Sequence, residues 1–352
     1  MNMIINGIQQ IGIGVSDIQT AFTWYRHCLG MDIPAFDDSG EASLMLRYTG
    51  GTPQVRRALL AMNLQGGSGF EIWQFTGRKP QPPSFTVSVG DSGIFLARVK
   101  SRDLEKTYQY LQAKNAELLG NINEDPSGGK HFLLRDPFGN IFQIVTGDDW
   151  FSRQKCLTGG VCGCMIGVKD MDESRRLYTD ILEYDTAIYD KTGVFEDFAA
   201  LPGGGEKMRR ILLAHSKQRT GSLSRLYGSS KIELVQCLTR EPRKIYQDRY
   251  WGDLGFIHLC FDIYGMDSLR DKCEAAGFPF TVDSSQSFDM GDASGHFSYI
   301  EDADGTLIEF VETHRIPIMK KFGIYLDLRK RNPEKPLPDW MIKTLSFSRV
   351  KD

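Results

Sequence analysis

The chain has 352 residues, 41% of them hydrophobic and 25% charged, with a formal net charge of −3. That length exceeds one average core and suits two domains of about 150 residues plus an extension. The composition excludes a largely disordered chain, and the charge gives nucleic acid no basic footprint. The first ten residues lack a charged stretch followed by an apolar one, and no apolar run nears the roughly 20 residues of a membrane span. The expectation is a cytoplasmic protein without membrane contact. Seven scattered cysteines argue against a disulfide framework, and Cys162 and Cys164 read as small buried hydrophobes.

In chain order, Ile11, Ile13 and Val15 alternate with Gln10, Gly12 and Gly14, which predicts a strand. Ser16 and Gln19 have capping-box spacing for a following helix, and Gly30 is its stop. Later in this unit Glu71 shares a strand face with Trp73 and Phe75. A second unit starts with a strand at Gly93–Val99, continues with a helix over 103–113, and reaches a turn, Asp136-Pro-Phe-Gly139, before a last strand. Residues 148–158 read as a connector. The third unit echoes the first: Asp17, Tyr25 and Leu29 match Asp170, Tyr178 and Leu182, and Arg56-Arg57 match Arg209-Arg210. Asp170 and Glu173 form another capping pair, and Glu233 shares a face with Val235 and Cys237. The fourth echoes the second, with a strand at Gly255–Ile263, a helix over 266–276 and the turn Asp302-Ala-Asp-Gly305. Along its first strand Ile257, Leu259, Phe261 and Ile263 oppose His258, Cys260 and Asp262.

Four units therefore span roughly 5–80, 92–147, 159–240 and 255–314, a repeat that overrides local guesses. Residues 315–352 hold ten Lys/Arg against four Asp/Glu and four prolines. They read as an extended arm packing across the surface, or onto a second copy as a homodimer, through Ile318, Phe322, Trp340 and Phe347.

The Ile13 to Asp17 strand end, the Tyr25 to Gly30 helix end and the two Asp-to-Gly turns resemble those of the vicinal oxygen chelate superfamily, which includes glyoxalase I, extradiol dioxygenases and bleomycin-resistance proteins. The resemblance covers about 5–314. It implies an α+β fold of four βαβββ modules in two tandem glyoxalase-like domains, with curved mixed sheets enclosing a cavity. The expected organisation is 1–148, a linker at 149–158, 159–314, and the extension.

The resemblance also implies that metal ligands sit on the first and last strand of each unit. Unit one then offers Gln10 and Glu71, unit two Ile94 and Gln143, unit three Gly163 and Glu233, and unit four His258 and Glu309. If units three and four face each other, the set is Glu233, His258 and Glu309. If units one and four do, it is Gln10, Glu71, His258 and Glu309, which has the character of zinc glyoxalase I. Imidazole and carboxylates suit one divalent Zn, Ni, Mn or Fe ion and leave positions for a chelating substrate. The bland alternative neutralises Glu71 and Glu233 with Arg57 or Arg210 and leaves His258 as a core histidine; burying an unpaired carboxylate is costly either way.

The implied function is a metal-dependent lyase or isomerase acting beside the carbonyl of a small molecule, with Glu309 or Glu71 as base and Tyr299 beside them. Glutathione dependence has no residue set to support it. A ring-cleaving dioxygenase competes, because Tyr299 and Glu309 match the spacing of the extradiol signature, although Gly163 stands where its second histidine belongs. A non-catalytic ligand-binding protein is the third reading. Trp73, Phe75, Trp251 and His296 are the candidate substrate contacts.

Overall fold

The computed structural model describes residues 3–285, 288–290, 293–319 and 324–350. Its strands form two curled mixed sheets, each shared by two units. Sheet one runs Val282–Asp283, Ala293–Glu301, Leu307–Met319, Gly255–Tyr264, Ile4–Gly14, Gly69–Phe75, Val55–Met62, Ile33–Glu41, so it joins unit four to unit one. Sheet two runs Thr186–Gly193, Met208–Ala214, Lys231–Cys237, Thr158–Gly167, Gly93–Ser101, Ile141–Thr146, Lys130–Arg135, Glu117–Leu118, joining unit three to unit two. Within a unit the first and last strands pair in parallel, and the two first strands of a sheet meet antiparallel. Each sheet thus draws on both halves of the chain.

The alternating apolar residues put their side chains on the sheet backs, where the helices Ile18–Leu29, Leu104–Ala113, Met171–Arg176 and Met266–Ala275 pack. The backs of both sheets share one core. Tyr25, Phe70, Phe142 and Phe256 form a chain of rings through it, with successive centroids 5.5, 5.4 and 5.6 Å apart. Edge contacts of this kind hold large apolar areas with fixed geometry. A bulge between Gly12 and Ile13, opposite Phe256 and His258, breaks the strict alternation expected along 255–263. Phe256 joins the helix-side core and Ile257 turns to the concave side.

The first helix is capped by Asp17, whose carboxylate accepts from Thr20 N at 2.6 Å, not by Ser16 one residue earlier. Asp170 caps the third unit's helix as expected, accepting from the amides of Asp172 and Glu173. Gly30 ends the first helix at φ 63°. In unit three the matching left-handed position is Glu183, at φ 64°, after a widened last turn over Leu177–Ile181.

The repeated Tyr and Asp are one device. The Tyr25 hydroxyl donates to Asp136 at 2.7 Å, and the Tyr178 hydroxyl to Asp302 at 2.9 Å. Each ties the helix of one unit to the last turn of the next, across from one sheet to the other. The carboxylate also accepts from the amides of its own turn, those of Phe138 and Asn140 in one copy and of Asp304 and Thr306 in the other.

The C-terminal extension packs on its own chain. Leu328, Leu337 and Ile342 are buried against Ile33, Leu60, Leu64, Leu226 and Tyr227, and Arg349 bonds Asp32 at 2.9 Å. Trp340 and Phe347, expected to make these contacts, are exposed instead, since the apolar anchors are the leucines and isoleucine. The side chains of Ile318 and Phe322 lie outside the described residues. Among the described residues, no helix is long and apolar enough to cross a membrane.

Two predictions follow from buried carboxylates. Tyr25→Phe leaves Asp136 short of one donor and should lower stability by about 1–2 kcal/mol in urea unfolding. Asp262 is enclosed, accepting from Asn6, Thr313 and Gln9, and burial raises its carboxyl from 3.8 to about 7. A raised pKa means the contribution is complete below 3.8 and is lost as pH rises through about 7. The stability of wild type minus that of Asp262→Asn should therefore fall by roughly 2–4 kcal/mol between pH 4 and 8; a pH-independent difference would refute the assignment.

Candidate metal centre

The centre forms where units one and four meet. Gly12 pairs with His258 across the antiparallel junction and with Glu71 across the parallel one, while Cys260 pairs with Glu309. These registers bring two last-strand glutamates to either side of one imidazole. His258 Nε2 lies 3.0 Å from Glu309 Oε2 and 3.3 Å from Glu71 Oε2. Donor atoms of all three residues lie within 4.8 Å of one another. Gln10, the counterpart of His258 in unit one, directs its amide to Glu71 at 3.2 Å and Glu309 at 3.5 Å. Of the two pairings open to the sequence, the fold forms units one with four.

Gly12 makes room for this. A Cβ there would lie 2.4 Å from His258 Cε1 and 2.8 Å from Nε2, so any other residue would push the ring away from the carboxylates. Above the ring, Trp251 stacks nearly parallel at 6.2 Å, and Tyr299 meets it edge-on at 5.6 Å. Tyr299 is the cross-strand neighbour of Glu309 and, after His258, helps lower its carboxyl below the ordinary value. Trp73 packs on Trp251 at 4.3 Å, and Met45, Ile257 and Leu307 complete the apolar cover.

The electrostatics leave a charge unmatched. His258 is fully buried, which disfavours its charged form, but Glu309 and Glu71 outweigh burial and raise it to about 9. Burial raises the Glu71 carboxyl. Burial pushes Glu309 the same way, but His258 and Tyr299 carry it below its ordinary value. One imidazolium cannot neutralise two carboxylates. Both ring nitrogens of His258 and Oε1 of Gln10 are buried without an aligned hydrogen-bond partner. Amide N and O are assigned rather than seen, so a turned Gln10 would present oxygen to the same point. Two carboxylates, one neutral imidazole and one carboxamide fit a divalent cation, which would balance the charge and engage the idle nitrogen.

The equivalent place in sheet two has taken another course. Register puts Gly163 at the position of Gln10, Leu96 at that of His258, Glu233 at that of Glu71 and Gln143 at that of Glu309. The unit-two position is thus Leu96, two residues beyond Ile94, since Gly93 aligns with Gly255 and Leu96, like His258, stands three residues after its glycine. Glu233 is far from His258 in this arrangement. Arg210 Nε donates to it at 2.7 Å and the Tyr189 hydroxyl at 2.7 Å, while Arg210 also holds Asp197 at 2.7 and 2.9 Å. Phe198 covers the guanidinium at 3.6 Å. Arg210 was foreseeable as a neutraliser; its counterpart was not Arg57, which pairs with Asp37, but Ala58, since the Arg-Arg echo is offset by one residue in the strand register.

The remaining candidates divide. Trp73 and Trp251 stand over the centre. Phe75 lies farther along, under Gly252 and the Arg78 guanidinium. His296 is on the helix-facing side of its strand, 2.5 Å from Asp283, which Arg270 of the Met266–Ala275 helix also binds. Strand alternation separates it from His258. Gly12 was missed by sequence reasoning, although its place beside Gln10 on the cavity face was visible.

Arg210→Ala would leave Glu233 and Asp197 buried with no guanidinium, a loss of about 3–5 kcal/mol. Thermal or urea unfolding should show it. Metal affinity at His258 should stay within about twofold of wild type, since distant sites act independently.

The comparisons agree with this fold. Residues 7–144 match the family model described as Glyoxalase/Bleomycin resistance protein/Dioxygenase superfamily. Glyoxalase I from Zea mays superposes with a TM-score of 0.55 at 11% identity, covering 88% of this chain and 92% of that one. A putative dioxygenase from Bacillus subtilis gives 0.56 at 13% identity, covering 88% and 86%. Among curated proteins no sequence matches. Residues 7–144 thus match the glyoxalase/bleomycin resistance/dioxygenase superfamily model, and the whole chain shares the vicinal oxygen chelate fold of these structures, built from four modules.

Proposed function

We propose that Glu71, His258 and Glu309, with Gln10 as a fourth donor, hold one divalent metal, and that the chain is a glyoxalase-type lyase or isomerase of a small carbonyl or 2-oxo compound. The observation that carries this reading is the donor set: two carboxylates and one imidazole within 4.8 Å, with a carboxamide beside them. When bound, the metal would polarise the substrate carbonyl and ease loss of the adjacent proton. The protein residues then divide the remaining work. His258 and Tyr299 keep the Glu309 carboxyl low while burial raises that of Glu71, so Glu71 is the carboxylate better placed to take the proton. Trp73 and Trp251 exclude water from the imidazole and form the wall a small apolar substituent would touch.

The dioxygenase reading has less support, because its usual iron site needs two imidazoles. Among the described residues, His27 is exposed on the first helix, His131 lies in sheet two, His215 stacks on Tyr184, His296 bonds Asp283 and His314 faces Glu312. None joins His258. A cytoplasmic location and a small-molecule substrate accompany the proposal.

Elemental analysis after loading with Zn²⁺, Ni²⁺, Mn²⁺ or Fe²⁺ should give about one metal per chain in wild type and Glu233→Gln, and far less in His258→Ala and Glu71→Ala. The loaded wild type should exchange the proton beside the carbonyl of a small hydroxycarbonyl compound into D₂O, followed by NMR. Glu71→Gln should slow that exchange by about 10²-fold or more. No metal uptake in wild type would leave a ligand-binding protein as the better reading. Oxygen consumption with a catechol, without such exchange, would favour the dioxygenase.

A further inference from the structure

The Arg210 cluster does not fill the concave side of sheet two. Beside the Arg210 cluster lies a cavity of about 450 Å³, within the range that small-molecule sites occupy. Its walls include Arg98, Lys100, Lys231, Asp125, Cys162 and Leu212, and Lys130 stands at the exposed rim.

Charge pairing within this cavity is uneven. Lys100 is buried and spends its ammonium on Asp149, at 2.9 Å to the carbonyl and 3.0 Å to the carboxylate. Lys231 is 3.5 Å from Asp148. Asp125 is occupied by its own loop, accepting from the amides of Ser127 and Gly129. Arg98 is different. It is only 5% exposed, and its Nη1 is buried without a hydrogen-bond partner. Its nearest carboxylate, Glu233, is 3.8 Å away, beyond hydrogen-bond range, and is already served by Arg210 and Tyr189. A buried guanidinium with an unbonded nitrogen is costly unless an anion meets it, and Arg98 lines the cavity.

We propose that this cavity is a second ligand site, separate from the metal centre, which binds a small oxyanion (a carboxylate or a phosphate group) on Arg98. The guanidinium fork matches either group in two parallel hydrogen bonds. Lys231 and Lys130 at the mouth draw the anion in. Leu212 and Cys162 give the ligand's carbon portion an apolar surface, so the best occupant is a compact organic anion rather than a bare ion.

The test is isothermal titration of the full chain with inorganic phosphate, phosphoenolpyruvate-sized phosphate monoesters such as glycerol 2-phosphate, and succinate. Saturable binding of at least one is expected, at one site per chain. Phosphate-bearing probes binding alone would assign a phosphate ligand, and succinate binding alone a carboxylate. Arg98→Gln should weaken binding by tenfold or more, and Lys231→Ala by severalfold with a shallower salt dependence. His258→Ala should leave it unchanged, which separates this site's failure from the metal centre's. If Arg98→Gln does not fold, a crystal soaked with the best probe replaces it, and density bridging to the Arg98 guanidinium is the expected result. No saturable binding by wild type, or binding that Arg98→Gln leaves intact, or density elsewhere, overturns the proposal.

Discussion

Buried carboxylates that face each other need a positive charge between them, and that requirement organises both concave surfaces of this protein. The parallel pairing of first and last strands fixes where the last-strand glutamates point. The antiparallel junction then decides what stands opposite. In sheet one the answer is an imidazole and an amide, too little charge for Glu71 and Glu309. In sheet two it is Arg210, which satisfies Glu233 and Asp197 with aligned hydrogen bonds and an aromatic cover. The same fold, used twice, reaches neutrality once by a side chain and once, in the proposed reading, by an ion.

This contrast explains why, among the described residues, metal-type donors gather at Glu71, His258 and Glu309 and not at their counterparts in sheet two. A guanidinium is a permanent cation, delivered with the fold and impossible to exchange. It makes the Glu233 cluster a structural element. The first site stays open because Ala58 stands where Arg210 does in the other sheet. An alanine leaves room beside Trp73, and no side chain of that strand hydrogen-bonds Glu71, which feels Arg56 only through its charge. Nearby Arg56 bonds Asp38 and lies over the Trp73 ring at 5.1 Å instead.

Much of this was legible from residue spacing, but unequally. The Tyr25 and Asp136 motifs identified the fold correctly and turn out to be partners across 111 positions of sequence, a tie that concerns stability rather than chemistry. His258 and Glu309 were legible as a pair because they lie on neighbouring strands of one unit. Their third partner stayed open between Glu233 and Glu71, since nothing local tells a chain which unit another will face. Only the sheet order excludes Glu233 and brings in Glu71. One-residue effects also escaped: the bulge that turns Ile257 inward and the offset of the Arg-Arg echo both depend on backbone hydrogen bonding that side-chain pattern does not encode. His296 was misplaced for a simpler reason, since a histidine near a site in sequence sits on the opposite face at every second position.

The asymmetry between the two sheets is also hard to reverse. Gly163, at the place of Gln10, has φ +142°, and a Cβ there would come 1.8 Å from the Lys231 carbonyl oxygen. No side chain, ligand or otherwise, fits without moving two strands. Leu96 would have to become a histidine inside a packed apolar cluster, and Arg210 would have to leave while two carboxylates stay. Each change alone destabilises, so the route back passes through poorly folded intermediates. What remains available in sheet two is the space beside the lost site, and there the chemistry has changed sign: a cationic Arg98 faces a cavity where the other sheet presents carboxylates.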